Sequence, residues 1–316
     1  MTYASGGLIE ATDYNTLVGG DPVTSSGKLN TVWATGGGNA GYGQTALANV
    51  SVGQVVGASE WANLVNKTSN SASHQGTSIT SVTAPVTGGT ITYNSNIPTN
   101  LTTIYTNRLN ATSQGSTTSN TATYAFAWSS AIRFTHTVTF ANGDAARYFF
   151  NSGGQLAITC SHPAGSGIDL LLSDLAANVG TVVMSAPTSG TITIASTSYN
   201  GITKVGGGGN SPTIVSGTGY YALTTANATF FTQTASTGPS GYLGTYISMT
   251  GKSNGTQGSN NDAGSVITIY TLWDEVPDGL IAGTGSATTL TVRPPETTYI
   301  ANTWGTITIA GSVAAA

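Results

Sequence analysis

The residues with the most versatile chemistry in this sequence are three histidines, one cysteine and a short acidic run. A metal site needs ligands at close, repeated spacing. His74, His136 and His162 stand far apart, with no second ligand near any of them, so each reads as a turn, helix-end or satisfied core residue. Asp274, Glu275 and Asp278 form the one local acidic cluster, in the string DEVPDG. A calcium loop alternates its oxygen ligands around a central glycine; this string does not, and it reads as a polar turn after a strand. Gly251-Lys252-Ser253 looks like the end of a phosphate loop, but that motif requires glycine where Tyr246 stands. Gly206 to Gly209 has no strand–helix context, and no GxSxG occurs. Cys160 falls on the apolar side of a strand pattern and reads as a structural thiol; a lone cysteine also excludes an intrachain disulfide. Glycosidase carboxylates can come from distant strands, yet the chain has only 12 acidic residues, mostly in turn-like segments. The expectation is a non-enzyme with no catalytic residue, no cofactor and no metal.

The elements that would position any site are mostly strands. Glycine is abundant (42 residues) and Thr/Ser are frequent, which favours short strands and many turns. Only 6% of residues are charged, against about 25% in an ordinary soluble domain. The surface must then be Thr, Ser, Asn and Gly, which suits subunits whose flanks are covered by copies of themselves. A net charge of −4 with 8 Lys+Arg leaves no electrostatic footprint for nucleic acid. No run approaches the roughly 18 apolar residues of a membrane span, so no membrane insertion is expected. The opening MTYASGGLIEATDYN lacks the basic and apolar regions of a secretion signal, so synthesis in a cytosol is expected.

In chain order, residues 1–80 read as a small helical attachment domain, 81–121 as a connector, and 122–316 as a β-sandwich or jelly-roll-like body. A first helix is expected at Ile9–Val18, capped by Thr12 or Asp13 and ended by Gly19-Gly20. A second starts near Ser59, carries Trp61, Leu64, Val65 and Thr68 at helical spacing, and stops at Gly76. Both are too short to stand alone. Their apolar residues Tyr14, Leu17, Trp61, Leu64 and Val65 are the expected docking or self-association stripe. The connector reads as a strand pair (Val82–Pro85 with Thr90–Tyr93) and a helix from Pro98 through Leu101, Ile104, Tyr105 and Leu109. In the body, Ile132 to Phe140 alternates with period two. Asn142-Gly143 then reads as a tight reversal, Arg147–Phe150 as an aromatic strand and Leu156–Cys160 as a third, making an antiparallel meander. A helix is expected around Ile168–Leu175. Further strands are expected at Thr181–Met184, Gly190–Ala195, Tyr220–Leu223, Thr229–Gln233, Tyr242–Met249, Ser265–Trp273, Thr288–Arg293 and Gly305–Ala310. The polar segments Lys204–Ser216 and Thr250–Gly264 read as rim loops.

Two blocks resemble structural proteins of tailed bacteriophages. One comprises Ile9-Glu10-Ala11-Thr12-Asp13-Tyr14-Asn15, Leu29-Asn30-Thr31-Val32-Trp33, Gly41-Tyr42-Gly43-Gln44, Trp61-Ala62-Asn63-Leu64 and His74-Gln75-Gly76-Thr77. The other is Phe140-Ala141-Asn142-Gly143 with Ala146-Arg147-Tyr148-Phe149-Phe150-Asn151-Ser152-Gly153-Gly154. The resemblance implies a multicopy, non-enzymatic virion component of the tail, baseplate or fibre, made in the host cytoplasm. Its implied partners are copies of itself, as a homo-oligomer and on family habit a trimer, and other virion proteins. The alternatives are a carbohydrate-binding adhesin that contacts host-surface glycan through the rim loops, and a capsid decoration protein.

Overall fold

The computed structural model describes residues 9–89, 91, 93–215, 217–255 and 264–316. Alternation of apolar and hydroxyl side chains builds two antiparallel sheets. One holds β1 (Thr118–Thr123), β3 (Gln155–Ser161), β4 (Thr181–Met184), β7 (Ile202–Val205) and β12 (Ala287–Arg293), in the order β1-β12-β3-β4-β7. The other holds β2 (Ala131–Thr139), β8 (Thr213–Ile214), β9 (Ala228–Thr234), β10 (Tyr246–Ser253), β11 (Val266–Asp274) and β13 (Thr308–Ala315), in the order β13-β2-β11-β10-β9-β8. A small hairpin, β5 (Ile192–Ile194) with β6 (Thr197–Tyr199), completes the strands. Ile132, Phe134 and Val138 of β2 share one core with Leu156 and Ile158 of β3 and Leu290 of β12. A helix over Ile168–Val179 packs on β3, β9 and β10 and puts Leu171, Leu172, Leu175 and Val179 into that core. The protein is mainly β, as the composition and alternation indicate.

The helical part is small. It consists of α1 (Ala11–Val18), α2 (Leu29–Trp33), α3 (Ala58–Gln75) and α4 (Asn96–Thr106); in the body follow α5 (Gly143–Asn151) and α6, the helix at Ile168–Val179. Glu10, rather than Thr12 or Asp13, takes the cap position of α1, and the Asp13 carboxylate accepts the Glu10 N–H at 3.1 Å. Gly57 rather than Ser59 precedes α3, and Gly76, at φ 65°, ends it as expected of a residue free to turn left-handed.

Four expectations are corrected. The meander is absent: β2 and β3 belong to different sheets, and Arg147–Phe150 lies within α5. Asn142 does not reverse a hairpin; its Oδ1 accepts the Ala145 N–H at 2.8 Å and caps that helix. Tyr220–Ala222 is a 3-10 turn rather than a strand, which buries both Tyr220 and Tyr221 where a strand would separate them. The expected strand pair at Val82–Tyr93 is irregular chain wherever it is described, with Val82, Ala84, Ile91 and Tyr93 packed on the core. Thr90 and Thr92 of that pair lie outside the described residues, as do Ser216 and residues 256–263 of the expected rim loops.

Candidate functional site

The loops at one end of the sheets bring together a serine, a histidine and an aspartate that sequence spacing hides. His162 follows β3, Asp169 opens α6 and Ser286 precedes β12. Ser286 Oγ lies 2.8 Å from His162 Nδ1, and His162 Nε2 lies 3.0 Å from Asp169 Oδ1. The residue types are those of an acyl-transfer triad, but the environment is that of a strut. Ser286 is fully buried. Its Oγ also accepts the Trp128 indole N–H at 3.0 Å, and Asp169 accepts the Gly283 N–H at 2.7 Å. A nucleophile must meet substrate, and this hydroxyl faces only protein. The relay therefore ties three loops and α6 together.

The other expected chemistry residues are also structural. His74 is buried, its Nε2 3.0 Å from the Ser152 carbonyl, and burial holds its pKa down at about 4. His136 is buried between the sheets, and burial lowers its pKa despite the nearby backbone of Asn120 and Thr288. The Cys160 thiol is pushed up to about 12 by burial, which removes the thiolate that reactivity needs. Glu275 is buried and staples its turn by accepting the N–H groups of Leu280 at 2.9 Å and Ser130 at 3.3 Å; burial raises its pKa. Lys252 of the phosphate-loop lookalike lies on β10, in a strand. No cluster of three metal-ligating side chains occurs among the described residues.

Tyr14, Leu17, Trp61, Leu64 and Val65 are all buried, in one hydrophobic cluster with the β body. The helical spacing located an apolar stripe, and in this fold the stripe is covered by the same chain. The helical part meets the body at a dense polar joint. Arg147 of α5, 1% exposed, donates to the Ala40 carbonyl at 2.8 Å and to Asp144 at 2.9 Å. Tyr221 donates to the Gly38 carbonyl at 2.7 Å, Thr303 to the Tyr42 carbonyl at 2.6 Å, and Gln44 to the Ala301 carbonyl at 2.8 Å. Phe150 stacks on Tyr220 with ring centroids 4.2 Å apart.

Two surfaces remain uncommitted. The first is the outer face of the larger sheet. There Tyr270 of β11 has Arg133 of β2 and Lys252 of β10 on its ring, each cation 5.9 Å from the centroid. Thr250 pairs with Tyr270 across the strands, and Leu272 pairs with Arg133. The second is β13, the edge strand of the same sheet, which packs against β1 yet leaves Thr308, Ala310, Gly311, Ser312, Ala314 and Ala315 exposed.

What this site and fold define is a class: a two-sheet, mainly β protein with a docked helical unit. No protein family, curated protein or solved structure matches the chain.

Proposed function

We propose that this chain is a non-enzymatic, self-associating structural subunit of a tailed-bacteriophage virion, in the tail, baseplate or fibre. The observation that carries this reading is β13, whose sequence TIAGSVAA has no charge and no proline and lies at a sheet edge. Natural edges are protected by lysine, proline, bulges or a covering element, because an open edge templates pairing with another chain. β13 has no lysine, no proline and no bulge, and although β1 packs against it, a second copy adding a strand at its edge would satisfy it. The 6% charge content supports the same reading, since a weakly charged surface offers little repulsion between copies. Attachment to neighbours falls to the helical unit. With its stripes buried, the most exposed large apolar residues among its described ones are Val52 (86%) and Val55 (91%), which line one surface with Ile9.

Sedimentation velocity over a range of concentrations tests self-association, and cryo-electron microscopy of intact particles tests the location. Concentration-dependent oligomers that Ser312→Lys shifts towards monomer are the expected result. A chain that stays monomeric at high concentration and is missing from purified particles would overturn the proposal.

A further inference from the structure

Eight basic residues serve the whole chain, so where each one is spent is informative. Arg108 donates to Asn39 and to the Tyr105 carbonyl, Arg147 to Asp144 and Ala40, and Lys204 to Gly208 and Gln233. Lys28 donates to the Thr16 carbonyl, Lys67 covers the Trp33 ring at 4.7 Å, and Arg293 stands alone at the end of β12, opposite Gln155 and away from any second cation. Arg133 and Lys252 differ. Among the described residues neither is within ion-pair distance of a carboxylate, and each faces the Tyr270 ring. At 5.9 Å that contact sits at the outer limit of a cation–π interaction and leaves both charges available. The carboxylate in the same β11 row, Asp274, accepts the Tyr246 hydroxyl at 2.7 Å.

The three side chains line a depression of ≈ 430 Å³ together with Asn227, Thr250 and Leu272. Among the described residues no carboxylate lines it. Its floor is shallow and runs along the sheet, beside the outward hydroxyls Thr135, Thr137 and Thr268. We infer that this face binds an acidic polysaccharide: an extended chain of carboxylate-bearing sugars. Arg133 takes a carboxylate in bidentate fashion, and Lys252 holds a second as a point charge. The apolar ring of Tyr270 and the side chain of Leu272 face the C–H surface of a sugar between them. Thr250 and Asn227 exchange hydrogen bonds with its hydroxyls. An acyl chain would want a deep apolar cavity and finds none in this depression. A neutral glycan would leave both cations unanswered.

This assignment does not depend on self-association or on a place in a virion. It also moves the glycan-binding expectation from rim loops to a sheet face: Thr250 and Lys252, expected in a loop, lie on β10, and the segment 204–216 does not line the depression.

The test is affinity electrophoresis of the full chain in native gels containing polygalacturonate, dextran or neither, with flotation on phosphatidylglycerol vesicles in parallel. Retardation by polygalacturonate alone, weakened by added salt, is expected. Arg133→Gln with Lys252→Gln should weaken it at least about tenfold, as loss of two charge-assisted contacts requires. Tyr270→Ala should weaken it by a smaller factor. All three positions are surface sites on strands, and far-ultraviolet circular dichroism verifies that each variant is folded. Equal retardation by dextran, unchanged binding in the folded double variant, or binding to the vesicles without binding to polygalacturonate would each overturn the inference.

Discussion

Arg147 and Arg133 carry the same guanidinium to opposite fates. Arg147 sits at the joint between the helical unit and the β body, 1% exposed, with a backbone carbonyl and a carboxylate at hydrogen-bond distance. Arg133 stands on an open sheet face beside an aromatic ring. A buried guanidinium is retained only if its donors are satisfied, so the first is architecture. A surface cation without a carboxylate costs little to hold and is free to meet a ligand. The joint and the open face thus divide the work, one fixing the two parts of the molecule and the other remaining available.

The joint should be the costlier to break. Phe150→Ala removes a fully buried ring stacked on Tyr220 and should cost about 4 kcal/mol, read from denaturant midpoints. Arg147→Met should cost about 2 kcal/mol by orphaning the Ala40 carbonyl, while the half-exposed Asp144 turns to solvent. Limited proteolysis should then cut near residues 38–41 faster than within the β strands. If Arg147→Met leaves the midpoint unchanged, the joint is not held by this residue.

The joint should also respond to acid. Because the folded protein holds His74 down at about 4, the unfolded chain, with an ordinary value near 6.5, binds the proton first as pH falls. The stability involved is complete above about pH 6.5 and is lost progressively towards pH 4, on the order of 3 kcal/mol. His74→Gln should therefore flatten the fall in stability between near-neutral pH and about pH 4.5. Parallel losses in the two proteins would deny His74 this role. At the open face the expectation is smallest: Arg133→Gln should change stability by no more than about 0.5 kcal/mol, and a larger change would mean that this arginine is structural as well.

Much of the scaffold was legible because periodicity reports burial. β2, β11, β12, α3 and α6 announce themselves by apolar spacing of two or of three to four, and β4 by a short apolar run. The joint was not legible. Asn142-Gly143 is a sound reversal signal in isolation, but Asn is equally a helix cap, and the choice between them depends on a partner surface. Phe149 and Phe150 are both buried because α5 lies among packed elements, which a half-exposed strand does not do. Phe230 and Phe231 are likewise both buried, because the β9–β10 register skips a residue there, a bulge that alternation cannot foresee. Arg133 was readable as outward-facing. Its meeting with Tyr270 and Lys252 was not, since it depends on the registers of three strands far apart in sequence. The same holds for Ser286 and His162.

The order of the larger sheet has a temporal side. β2 is flanked by β11 at 266–274 and β13 at 308–315, so both of its neighbours emerge from the ribosome long after it does. The helical unit waits as well, since Tyr42 and Gln44 are tied to Thr303 and Ala301. Pairing across such separations is slow, and for that interval the chain carries unmatched strands with few charges to keep copies apart. Release from synthesis, rather than the finished fold, is then the stage at which this sequence is most exposed to premature association.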